Sequence, residues 1–146
     1  MEKFFEDFVV GEVFETSGRT ITEADIVNFA GISGDFNRIH IDEEYAKKTI
    51  YGTRIAHGLL IISVVSGLRL RTNVFEASLI ALYGIDNLRF IAPVKIGDTI
   101  RAKITVIKKE QKRKGGLLTL KHEVFNQRNE LVAVFNLLLL VSYKNQ

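Results

Sequence analysis

The sequence predicts an α+β fold in which a curved antiparallel sheet wraps one long buried helix, as a single domain over residues 1–146. Three observations predict it. Leu59 to Leu70 is apolar almost all round, and a helix without a polar face has to be buried on most sides. Beyond residue 78 the texture changes to strands, most plainly where Ile100, Ala102, Ile104 and Val106 alternate with Arg101, Lys103 and Thr105 in a period of two. The length of 146 residues is also that of one domain, able to bury roughly two-thirds of its unfolded surface around one core. Enclosing an all-round apolar helix demands strong sheet curvature.

The elements follow in chain order. Phe8 to Phe14 leads into a strand through about Thr20, interrupted at Gly11. Thr22 with Asp25 three positions on is a capping-box-like start, and Ile26, Val27, Phe29 and Ala30 continue at near-helical spacing until Gly31, so a short helix is expected. Ser33 to Asp42 reads as a turn. Asp42 to Lys48 places acids first and lysines last, the order that suits the dipole of another short helix. Tyr51 to Ala56 connects to His57-Gly58 and the apolar helix. Leu79 to Ile91 is a long strand closed by Pro93, which lacks the N–H that a central ladder needs. Gly97-Asp98 turns into the alternating strand, Leu118, Leu120 and Val124 mark the next, and Asn126 to Asn129 turn into Leu131 to Tyr143. The four long strands are expected in hairpin succession. Apolar residues fill both parities of the last one, so the helix should cover one face and a second subunit the other.

Composition narrows the function classes. With 47% hydrophobic and 25% charged residues the chain is an ordinary globular one. It has no cysteine, which removes disulfides, thiolate nucleophiles and cysteine metal sites. Met1 to Asp7 lacks the basic-then-apolar order of a secretion signal, and Leu59 to Leu70 and Leu131 to Val141 are too short or too interrupted to span a bilayer. A cytoplasmic protein with no membrane partner is expected. The net charge of +3 gathers at Lys108, Lys109, Lys112, Arg113 and Lys114, just before Gly115-Gly116. This reads as a solvated hairpin, with contact to the phosphates of a small anionic molecule as the alternative. No aromatics interleave with the cluster, so no nucleic-acid partner is expected.

The residues that could carry chemistry concentrate in Ser33 to Asp42. Asp35 and His40 stand five apart on a turn with Gly34 for backbone freedom and Asn37 to bond local amides. Folded toward one point they would hold one water between a carboxylate and an imidazole, a pair suited to general acid and base catalysis. The alternative is an Asx-turn with a satisfied loop histidine, and spacing alone leaves both open. His57-Gly58 opens the apolar helix, where unpaired N–H groups can hold an oxyanion and Gly58 allows close approach; a helix start chosen for packing is the alternative. Ser63, a polar residue in the apolar helix, either bonds the carbonyl one turn back or points at a ligand. His122 shares a parity with Leu118 and Leu120 and reads as a core or interface residue. His40, Asp42 and His57 could be assembled into a metal site on paper, but no recognised ligand spacing occurs, so no metal is expected.

These residues resemble the MaoC-like dehydratases, which include the (R)-specific enoyl-CoA hydratases. Asp35, Asn37 and His40 match an Asp-x-Asn-x-x-His motif; Arg54 to Gly58 with Ser63 match an Arg-Ile-Ala-His-Gly signature; Phe90, Pro93, Val94, Gly97, Asp98 and Thr99 match a third. The resemblance implies a hot-dog fold and a hydratase/dehydratase that adds water reversibly to the 2,3 double bond of an enoyl-CoA. It implies that Asp35 and His40 hold the water, that the N–H at Gly58 polarises the thioester, and that Ser63, Asn37 and His57 lie near the substrate. The CoA thioester would be substrate, with no cofactor, and a homodimer or a larger assembly of dimers is expected. Arg38 stands where many members carry proline, and could meet a substrate carboxylate. A thioesterase and a noncatalytic acyl-CoA-binding partner subunit are the competing readings.

Overall fold

A computed structural model describes residues 1–146. A short 3-10 turn at Phe5–Asp7 precedes β1 (Val13–Glu15) and β2 (Arg19–Thr20). Four helices follow: α1 (Glu23–Ser33), α2 (Arg38–Ile41), α3 (Glu43–Ala46) and α4 (Gly58–Leu70). The long strands are β3 (Leu79–Phe90), β4 (Thr99–Lys112), β5 (Gly115–Phe125) and β6 (Leu131–Val141). Together with β1 and β2 they form one antiparallel six-stranded sheet, ordered β1-β4-β5-β6-β3, with β2 also on β4. No helix is long and apolar enough to cross a membrane.

Local chemistry explains the ends of the helices. Thr22 caps α1, its side chain accepting from the Asp25 N–H while Asp25 accepts from the Thr22 N–H. The helix continues through Gly31 and stops at Gly34, which takes the left-handed conformation (φ 77°), so Gly34 rather than Gly31 is the terminator. The expected turn from Ser33 contains the single helical turn α2, capped by Asn37.

Leu60, Ile61, Val64, Val65 and Leu68 of α4 join Ile104, Leu118, Leu120, Phe135, Leu137 and Leu139 of the sheet in one core. The helix is not buried all round, however: Leu59, Ser63, Ser66, Gly67 and Leu70 are exposed in the single chain. Hairpin succession holds for β4, β5 and β6, but β3 pairs with β6 rather than β4. The link through Pro93 instead crosses the end of the sheet, where Ile55 bridges Lys95. This leaves β3 as an edge strand with three register irregularities and a left-handed Asn87 (φ 56°), features that twist and interrupt an edge.

Candidate active site

The turn after α1 and the start of α4 converge on one cluster. Ser33 donates its hydroxyl to the Phe29 carbonyl and accepts the Asp35 N–H, the Asp35 carboxylate accepts the Asn37 N–H, and the Asn37 side chain accepts the Ile39 N–H. This ladder of local bonds fixes the path from the end of α1 into α2. His40 is buried and Asp35 half-exposed, with 3.9 Å between His40 Nε2 and Asp35 Oδ2. That separation is too long for a direct hydrogen bond, yet a water can touch both atoms.

The Ile55 carbonyl, 2.7 Å from His40 Nδ1, accepts the proton there. This leaves Nε2 with its lone pair directed toward Asp35. Burial pushes the imidazole below the ordinary histidine value and the bond to Ile55 raises it; the neighbouring His57 lowers it and Asp35 raises it. The balance favours the neutral, basic ring.

His57 lies against His40 with ring centroids 3.7 Å apart and planes at 23°. Its Nε2 donates to the Asp35 carbonyl at 2.9 Å, and its Nδ1 is buried without a partner. His57 therefore ties the Asp35 backbone to the start of α4. Asp35, His40 and His57 each bring a potential metal-ligating atom within 4.8 Å of the others, whereas Asp42 is held by the Tyr45 N–H and Arg38. Stacked imidazoles aim their in-plane lone pairs side by side rather than at a common point, and at 3.7 Å this fits poorly with the roughly 2.0–2.1 Å bonds of a shared ion.

Gly58 is the first residue of α4, and no side chain caps that end. A cavity of about 510 Å³ opens beside it, lined among others by His40, Tyr51, Ile55, Leu59, Phe90 and Val132. Here an apolar chamber, an imidazole and a helix N-terminus meet. Orphan N–H groups at such an end stabilise negative charge on an oxygen.

Two residues singled out in the sequence make local contacts outside the chamber lining. Ser63 donates to the Leu59 carbonyl at 2.8 Å and faces a separate groove with Arg19, Gly67 and Arg71. Five positions along a helix from Gly58 is well over a turn, which carries it to another side. Arg38 bonds Asp42 through both Nε and Nη2 at 3.1 Å and its guanidinium lies over Tyr45, so it is held away from the chamber. Asn37 is exposed, and its side-chain oxygen accepts the Ile39 N–H as the cap of α2. The sequence reading missed the Ile55 carbonyl and the His40–His57 stack. A backbone acceptor has no residue signature, and the stack exists only once two distant segments meet.

Residues 7–127 match the sequence model described as MaoC like domain. The chain belongs to the MaoC-like dehydratase family. Its relatives include the (R)-specific enoyl-CoA hydratase of Rhodospirillum rubrum, 44% identical over 106 residues that make up 70% of this chain and 69% of the relative. Protein MaoC of Klebsiella aerogenes is 46% identical over 110 residues, 75% of this chain but 32% of that protein, so the match spans about a third of its length. Among solved structures, the monoamine oxidase regulatory protein from Archaeoglobus fulgius superimposes with a TM-score of 0.89 at 40% identity, covering 98% of this chain and 97% of that one. The fold of this MaoC-like domain is the hot-dog fold.

Proposed function

We propose that the protein is an acyl-thioester hydratase/dehydratase that interconverts a trans-2-enoyl-CoA and an (R)-3-hydroxyacyl-CoA. The observation that carries this reading is the 3.9 Å pairing of Asp35 Oδ2 with Nε2 of His40, the imidazole that lines the chamber together with Gly58. A water between the two side chains gives up one proton as its oxygen bonds to C3 of the enoyl group. The 2,3 double bond becomes single as C2 takes a proton, with the acid and base roles shared by Asp35 and His40. Negative charge that develops on the thioester oxygen is met by the Gly58 N–H, and the apolar lining excludes competing water. The reading requires no metal or other cofactor. His57 acts as a positioning residue for the loop that carries Asp35.

The (R)-specific enoyl-CoA hydratase name of a relative at 44% identity supports the substrate class. The test is loss of enoyl-thioester absorbance on adding the protein to crotonyl-CoA, with the product resolved by chirality. Thiol release without hydration would move the assignment to hydrolysis.

We also propose a homodimer paired through β3. Its outer edge is unpaired, and Leu79, Ile80, Leu82, Tyr83 and Ile85 are exposed along it. A long apolar edge strand is a template for pairing with a second copy. Phe90 ends that strand and also walls the chamber, so pairing would cover part of the site.

A further inference from the structure

A second charged cluster lies farther along α4, outside the chamber. Arg69 is 8% exposed and has no carboxylate partner. Arg54 gives the contrast: less buried at its side chain, it is paired with both Glu23 and Glu43. The Arg69 guanidinium bonds only neutral groups, Nη1 to His122 Nε2 at 3.4 Å and Nη2 to the Ser66 hydroxyl at 3.2 Å. His122 is fully buried, and its Nδ1 donates to the Leu120 carbonyl at 2.9 Å, so Nε2 is the acceptor for Arg69. Stacking on Phe135, with centroids 4.6 Å apart, fixes the ring further. A buried cation with neutral partners is costly, and its unengaged N–H donors form a fork that matches a carboxylate.

The space for that carboxylate is present. A cavity of about 140 Å³ is lined by Ser66, Gly67, Arg69, Leu70, Phe75, Leu79 and Leu139. Exposed Ser66 and Leu70 provide its entrance, while Phe75 and Leu139 form a dry wall. We propose that Arg69 and Ser66 form a binding site for one small monovalent anion of the carboxylate class.

Two sources can deliver this chemistry: a free carboxylate, or the carboxylate end of an acyl chain. Arg69 lies eleven positions after Gly58, about three turns, and therefore on the same side of α4. Its side chain leans back toward the helix N-terminus, as the bond to Ser66 requires. An acyl chain bound at Gly58 would have to pass the buried Val65, two turns on along the same side, to approach the guanidinium; this second source rests on the hydratase reading.

The test compares the full-length protein with Arg69→Met, which removes an uncompensated buried charge and is expected to fold. Acetate added at constant ionic strength should raise the unfolding temperature of the wild type saturably and leave Arg69→Met unmoved; equal responses overturn the site. Crystals of the wild type soaked in bromide should show the ion beside Arg69 and Ser66, independently of any variant. A protein carboxylate occupying that position, from the same or a partner chain, overturns it as well. For the acyl source, kcat/KM is compared between an enoyl-CoA with a terminal carboxylate and its methyl ester. A preference for the acid that falls at least about tenfold in Arg69→Met assigns the acyl end as ligand. An unchanged preference together with acetate binding assigns the free anion. If no hydration occurs with any substrate, the hydratase reading fails, while the acetate and bromide results still decide the anion site.

Discussion

Replacing Gly58 with alanine tests the start of α4 as the thioester-binding half of the site. A β-carbon there would lie 2.7, 2.9 and 3.0 Å from three atoms of the Phe90 ring, where ordinary contact begins at 3.4 Å. The ring must retreat by about 0.7 Å, the difference between 3.4 and 2.7 Å. Phe90 is 49% exposed and can move outward without breaking the core. Alanine in place of glycine favours the helix by up to about 1 kcal/mol, so the unfolding temperature should hold or rise. The chamber pays differently: both the methyl group and the displaced ring alter the space beside the Gly58 N–H. Misplacement near 1 Å can cost on the order of 10²-fold in rate. Hydration of crotonyl-CoA, followed by enoyl-thioester absorbance, should fall about 10- to 100-fold in kcat/KM. A Gly58→Ala/Phe90→Leu double variant should recover part of the loss. Wild-type activity in a stably folded Gly58→Ala protein would refute the placement of the reacting carbonyl at this helix start.

Asp35→Asn and His40→Ala should each lower kcat by about 10²- to 10⁴-fold with the circular dichroism spectrum retained; full activity in either removes that residue from the mechanism. Because burial is the largest influence holding His40 below the ordinary histidine value, activity should persist as pH falls through about 6.5 and decline only beneath it. An acid limb centred above that value would contradict the environment described for the ring. Burial brings His122 down to about 3, against about 6.5 in the unfolded chain. With the folded value depressed, its contribution is intact above about pH 6.5 and lost as pH falls toward the folded value, because the unfolded chain takes up the proton first. Urea unfolding at about pH 7 and about pH 4.5 should therefore show a flatter pH dependence for His122→Gln than for the wild type, by an amount on the order of kcal/mol; matching slopes would sink this account. Leu82→Lys on the exposed edge of β3 should shift the protein toward monomer in sedimentation velocity, and an unaltered sedimentation coefficient would rule out pairing through that edge.

Much of this protein was legible in its residues because the signals are local. The period of two from Ile100 to Val106, the Thr22–Asp25 capping box and the apolar run after Gly58 each specify an element from neighbouring side chains alone. The Asp35, Asn37 and His40 spacing likewise gathers an acid, an amide and an imidazole into one short turn. Tertiary structure decided what depends on segments far apart in the chain. It put β3 beside β6 instead of β4, because crossing the sheet end leaves no mark in either strand's own pattern. It turned Ser63 away from the chamber, since helical phase matters only once the buried side is known. It set the protonation pattern of His40 through a backbone carbonyl fifteen residues away, and stacked His57 upon it. Arg69 shows the difference most clearly. In the sequence it is an ordinary basic residue near the end of a helix; packing against the sheet surrounded it with neutral groups and left the guanidinium buried without a counter-charge. Burial and the absence of a partner are properties of the assembled neighbourhood, and the sequence carries them only after folding brings that neighbourhood together.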